Sequence, residues 1–271
     1  MMYLPHNYTK YPIWLTIDVE EVEDANFGIT PKHPLQINYA AIINEWIVFC
    51  QKHNISSTAF VLGSFAKKYP HIIKTLHKYG HEIACHGLRH ELVYNLPFDE
   101  WKRETQDAKK ILEDTIGQEV IGYRAPSWSM PFEKKYYEAL VASGFRFTST
   151  YFPFKTYMYG NSIDKKSPFV ITTPGGTITE IPLLKNIIPF SGGFYMRVLP
   201  FFLIQRLFAN LINQGHKPII YTHPYELLPH LFTRFRKDVK LDVAYFLTFF
   251  AVENSLQRFD KILKQFCKDK I

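Results

Sequence analysis

Ile13-Trp14-Leu15-Thr16-Ile17-Asp18-Val19-Glu20 is the stretch on which the reading of this chain turns. Five β-prone residues run straight into an acidic cluster, Asp18-Val19-Glu20-Glu21, as expected of a buried strand delivering polar groups at its end. Downstream the same theme repeats. Asn38 caps a helix with Tyr39, Ile42, Ile43, Trp46, Ile47 and Cys50 on one face. Strand Thr58–Leu62 leads to a helix over Phe65–Tyr79, closed by Gly80. Strand His81–Cys85 precedes a helix from Asp99 to Ile116, and strand Val120–Tyr123 precedes a helix from Glu133 to Ser143. Strand Phe145–Ser149 opens a looser stretch, Tyr151 to Phe194, with β-type pieces at Phe169–Thr173 and Thr177–Pro182. A helix over Leu199–Asn213, strand Pro218–Tyr221 and a mostly helical tail after Leu241 complete the chain.

Repeated strand–helix units predict a parallel α/β sheet, as a barrel or a doubly wound sheet. At 271 residues, 46% of them hydrophobic, the chain is read as one domain, residues 1–271, with a core over about 11–225 and a helical extension over about 226–271. The net charge of +7 suits an anionic glycan or a membrane surface. The basic residues are scattered, without zinc-finger spacing or an RNA-binding signature, which argues against nucleic acid. Cys50, Cys85 and Cys267 are odd in number and far apart, so no disulfide framework is expected. No signal-peptide pattern and no apolar run of spanning length is present, so the expected location is cytoplasmic, with peripheral contact at the inner membrane face. An apolar stripe of Leu199, Phe201, Phe202, Leu203, Leu207 and Phe208 offers either such a contact or a core face.

Chemistry-bearing residues gather after predicted strand ends, the rim where catalytic groups collect in α/β barrels. Asp18 and Glu20, two residues apart in extended chain, share one face with Val19 on the other. His86 and His90 are four apart; if the segment turns helically after its strand, both can reach one metal. One carboxylate completes that site and the other takes a proton from water. Cys85 alternates away from His86 and is read as core. Arg124-Ala125-Pro126-Ser127-Trp128-Ser129 supplies an Arg fork able to hold Asp18 in one rotamer, a rigid turn whose amides near Ser127 or Trp128 can face an oxyanion, and a ring able to stack on a sugar. His223, after Ile219-Ile220-Tyr221-Thr222, can protonate a leaving amine.

Taken in order, the acidic strand end, His-x-x-x-His, Arg-x-Pro and late strand-end His resemble the polysaccharide deacetylase family, carbohydrate esterases related to chitooligosaccharide and peptidoglycan deacetylases. GYRAPSWS, GFRFTSTYFP, PFSGGFYMRVLP and YTHPYEL resemble a subgroup found with exopolysaccharide and surface-glycan loci. The resemblance implies a distorted (β/α)7-type barrel holding one divalent metal, usually zinc, and acting on an acetylated glycan. It implies His86, His90 and Glu20 as ligands, Asp18 as general base, Arg124 as its orienting partner and His223 as general acid. Two departures stand out. The family pattern has adjacent Asp residues where Val19 intervenes here, and the subgroup's Asp after the GFR segment is Thr148. Two rival functions accompany this reading, an amidohydrolase opening a small ring or ureide and a non-catalytic glycan-binding protein on the same fold.

Overall fold

Burial on both sides of the sheet follows from the strand sequences, which carry apolar residues on alternate faces. The structure, a computed structural model, describes residues 1–25, 35–153, 165–184, 190–228 and 250–267, with positions 243, 246 and 248. Its strands are β1 Trp14–Val19, β2 Thr58–Val61, β3 Glu82–Cys85, β4 Gly122–Tyr123, β5 Phe147–Thr148, β6 Phe169–Thr173, β7 Gly176–Glu180 and β8 Ile219–Thr222. They form one eight-stranded sheet in the order β6-β7-β5-β4-β3-β2-β1-β8. Every neighbouring pair is parallel except the β6–β7 hairpin. Seven parallel strands thus curl into an open half-barrel, the distorted α/β barrel expected.

Helices α1 His6–Lys10, α2 Tyr39–Lys52, α3 Gly63–Lys68, α4 Pro70–Lys78, α5 Phe98–Ile116, α6 Lys134–Ala142, α7 Gly193–Val198, α8 Phe201–Asn213 and α9 Ser255–Phe266 accompany the sheet. Period-2 alternation sorts the strand residues between two cores. Leu15, Ile17, Val19, Ala59, Val61, Ile83, Cys85 and Ile220 pack in one cluster with residues of α2, α4, α5 and α8. Trp14, Phe60, Ala84, Phe147 and Ile219 fill the inside of the curl. Gly122 belongs to that inner face: a Cβ there would stand 2.1 Å from Phe147 Cζ, so only glycine lets the ring in.

One expected helix is broken at proline. Pro70 has no amide hydrogen and displaces Tyr69 to φ −130°, ψ 55°, splitting 63–78 into α3 and α4. Pro200 is the N-cap of α8, so the helix expected from Leu199 begins at Phe201, and α7 precedes it as a short helix outside the expected set. The apolar stripe of that region goes mostly inward, with Leu207 and Phe208 buried beside Ile204 and Leu211. Phe202 alone of the six is a large, strongly exposed ring, at 72%. Helix α9 docks Phe259, Ile262 and Leu263 into the main core; residues 229–242 and much of 243–249, where the helical tail is expected to begin, lie outside the described residues. Among the described residues no helix is long and apolar enough to cross a membrane.

Candidate active site

The inner-face register carries polar groups past the strand ends onto one rim. Thr16 and Asp18 on β1 share that face with Trp14, and Glu20 follows. His86 succeeds β3, Arg124 succeeds β4, and His223 succeeds β8. Asp18, Glu20, His86 and His223 line a cavity of about 120 Å3 that also includes His90, Ser127, Trp128, Tyr195 and Glu226.

Glu20, His86 and His90 each present a ligand atom, and these atoms lie within 4.8 Å of one another. Glu20 Oε2 stands 3.0 Å from His90 Nε2 and 3.8 Å from His86 Nε2. Among the described residues this buried oxygen has no well-aligned hydrogen bond, and its close contact is the ion pair with His90. Tetrahedral donors about 2.0–2.1 Å from one zinc ion sit about 3.3 Å apart, which those separations bracket. The residues therefore fit a divalent metal. His86 Nδ1 donates to Arg124 O at 2.8 Å, which fixes the tautomer that leaves Nε2 as acceptor. Burial, aided by the neighbouring His90, pushes its pKa down to about 3, so the imidazole is neutral. Burial also disfavours charge on His90, but Glu20 outweighs it and raises that pKa. Among the described residues His90 Nδ1 has no outer partner such as His86 has.

The two histidines are not brought together by a helical turn. Residues 88–90 form a bend, and Gly87 takes φ +92°, a left-handed conformation that favours glycine. The amides of Gly63 and Ser64, at the start of α3, donate to Gly87 O and Leu88 O at 2.9 Å each and pin the loop.

Arg124 is fully buried. Its Nη1 donates to Asp18 Oδ1 at 2.7 Å and to Thr16 Oγ1 at 3.0 Å, its Nη2 to Ser149 Oγ at 3.2 Å, and its guanidinium lies 3.9 Å over the Phe60 ring. Asp18 is thereby held in one orientation, at the cavity wall, beside the Glu20–His86–His90 cluster.

His223 faces the same cluster from the other side, its Nε2 3.9 Å from Glu20 Oε1. Its Nδ1 pairs with Glu226 Oε2 at 2.9 Å, and Glu226 Oε1 pairs with Arg197 Nε at 3.2 Å. Burial opposes a charge on His223; Glu226 outweighs it, with Glu20 and Asp18 adding, and raises the pKa to about 9. The carboxylate partner missing at Thr148 is thus supplied three residues after the histidine. Thr148 itself is buried and bonds Thr150 Oγ1 at 2.8 Å. Glu226 and Arg197 escaped the sequence reading. For Glu226 a signal exists, since His-Pro-Tyr-Glu after a strand has capping-box spacing, and the structure closes that box; for Arg197 there is none.

Ser127 and Trp128 both have left-handed backbones, φ 49° and 51°, rare outside glycine and frequent at functional sites. The Trp128 amide is spent on Ala125 O at 3.0 Å, so it does not face an oxyanion. The Trp128 ring packs edge-on against Tyr221, 4.8 Å between centroids, inside the inner core. Little of the ring is left exposed to the cavity that it helps to line.

Comparison with known proteins gives residues 36–147 as matching the family model "Polysaccharide deacetylase" and residues 149–271 a "Domain of unknown function (DUF3473)". Chitin deacetylase 1 of Cryptococcus neoformans is 29% identical over 116 residues, 40% of this chain and 23% of that protein. The curated relatives are matched over about a quarter of their length. Among solved structures, a probable polysaccharide deacetylase from Pseudomonas aeruginosa superposes with TM-score 0.62 at 15% identity, covering 97% of this chain and 88% of that one. An allantoinase superposes equally well, with TM-score 0.62, 18% identity and the same coverage. At these identities the structures speak for the fold alone.

Proposed function

We propose that the chain, whose residues 36–147 match the polysaccharide deacetylase model, is a metal-dependent hydrolase that removes N-acetyl, or O-acetyl, groups from an amino-sugar polysaccharide or its precursor. The observation that supports it is the meeting of Glu20, His86 and His90 at one point, flanked by Asp18 on one side and His223 on the other. Nothing in a scaffold alone asks for two histidines gathered around a buried carboxylate.

Glu20, His86 and His90 would hold the ion, zinc by preference for two imidazoles and a carboxylate. When bound it supplies a Lewis acid for the acetyl carbonyl and lowers the pKa of a water at the site. Asp18, oriented by Arg124, accepts the proton of the attacking water. Ser127 and Trp128 flank the acetyl group. His223, whose Nδ1 Glu226 holds and whose protonated form that carboxylate favours, donates its Nε2 proton to the departing nitrogen. Acid–base help of this kind is worth about 10²–10⁴-fold. The chitin-directed relative argues for N-acetylglucosamine as the sugar.

Metal analysis of the purified chain, paired with acetate release from acetylated chito-oligosaccharides and turnover of a cyclic ureide, tests the proposal. One ion per chain and acetate release are expected. Ureide turnover without acetate would assign the fold's other chemistry. Glycan binding with neither metal nor acetate would leave a binding protein.

A further inference from the structure

Arg197 does more than touch Glu226. It is 3% exposed, on α7, and its Nε also donates to Gly193 O at 3.3 Å. Its Nη1 donates to the backbone carbonyls of Thr248, at 3.0 Å, and Phe250, at 2.6 Å. Thr248 is itself part of the cavity wall. One buried cation therefore stands between the carboxylate that orients His223 and a piece of chain that encloses the site from a distant part of the sequence. A guanidinium carries five N–H donors in a rigid plane, so one edge can serve Glu226 while another serves two carbonyls. An ammonium has no such plane.

We propose that Arg197 is a positioning residue that makes the docking of residues 248 and 250 and the orientation of His223 a single event. The site can protonate a leaving amine only with that segment in place, so the C-terminal chain takes part in the reaction without touching the substrate's reacting atoms. This rests on His223 acting as the general acid.

The role predicts selectivity by leaving group. Hydrolysis of an N-acetyl amide adds water across the acetyl carbon and breaks the C–N bond, and the nitrogen must collect a proton as it departs. In 4-nitrophenyl acetate the phenolate departs without one. Full-length, zinc-loaded wild type, Arg197→Lys, Glu226→Gln and His223→Ala would be assayed on both substrates. Their kcat ratio, amide over aryl ester, is expected to fall roughly 10–100-fold in Arg197→Lys and Glu226→Gln, a share of what a positioned acid supplies, with KM for the amide little changed. Hydrogen exchange of the peptide spanning residues 250–258 should accelerate in Arg197→Lys and stay at the wild-type rate in Glu226→Gln. A parallel loss of both reactions in Arg197→Lys, or unaltered exchange there, would overturn the coupling. Glu226→Gln preserves shape, so an unchanged ratio in it would overturn the proposal even if Arg197→Lys folds poorly. An unchanged ratio in His223→Ala would instead refute the general-acid reading on which this one stands.

Discussion

The ion pair between Arg124 and Asp18 offers a test whose size can be worked from the structure. Both side chains are buried, and the 2.7 Å contact is the charge partner that Asp18 has. Arg124→Met keeps apolar bulk over the Phe60 ring and removes the guanidinium. Thr16 Oγ1 stays satisfied through Ile220 O at 3.1 Å, so the main loss is compensation of the Asp18 charge. Breaking one side of a buried pair costs about 3–5 kcal/mol. At roughly 2–4 °C per kcal/mol for a domain of this size class, the melting temperature at pH 7 should drop by roughly 6–20 °C. The double variant Asp18→Asn/Arg124→Met leaves no charge at this pair and should recover at least half of that drop, since the residues are directly coupled. The carbonyl of residue 124 that holds His86 is retained, so zinc stoichiometry should survive. Calorimetric melts of the four proteins in the cycle decide it. A single variant within about 2 °C of wild type, or a double variant no more stable than the single, would refute the reasoning.

Asp18→Asn alone should lower acetate release by about 10²–10⁴-fold and leave zinc bound, because the three ligand candidates are untouched; wild-type turnover would remove Asp18 as the base. Zinc affinity should weaken as pH falls. Glu20 raises the His90 pKa, so at pH values below it the imidazole carries a proton that must leave before Nε2 can ligate. Competition against a chelator at pH 8 and pH 6 should therefore give the weaker binding at pH 6, and a flat profile would argue that His90 is not a ligand. Gly122→Ala should destabilise the chain by about 1–3 kcal/mol through overpacking, since its Cβ would meet the Phe147 ring at 2.1 Å. Adding Phe147→Leu should restore part of the melting temperature, and no restoration would mean that the ring is not what excludes a side chain at 122.

Much of the rim was legible because strands broadcast their ends. Ile13 to Ile17 has one plausible conformation, and a period of two then puts Asp18 and Glu20 on one face and Cys85 opposite His86 without further information. Helix breaks were less legible. Pro70 interrupts a stretch whose apolar spacing runs on across it, and there the missing amide hydrogen overrides the pattern. The loop geometry of His86–His90 was not legible, for it depends on Gly87 and on amides of α3 that no local pattern advertises. Arg197 was invisible for a simpler reason. Its partners lie 29, 51 and 53 residues away, at Glu226, Thr248 and Phe250, and only the folded chain brings them together.

The division of the chain between its two family matches has a chemical consequence. The deacetylase match ends at residue 147 and the second begins at 149, but this boundary falls inside β5, whose Phe147 and Thr148 pair with β4 on one side and β7 on the other. The sheet passes through it unbroken. Of the rim residues, His86, His90 and Arg124 come from the first match, Asp18 and Glu20 precede it, and His223, Glu226 and Arg197 belong to the second. The candidate ligands His86 and His90 and the candidate acid His223 thus come from different matched segments, and Glu20, which lies in neither, stands with its Oε1 3.9 Å from His223 Nε2. If the acid is His223, the segment described only as of unknown function supplies half of the reaction. A chain cut at the boundary would then lose β7, β8 and the acid together, and no fragment ending at residue 147 should release acetate from an amide.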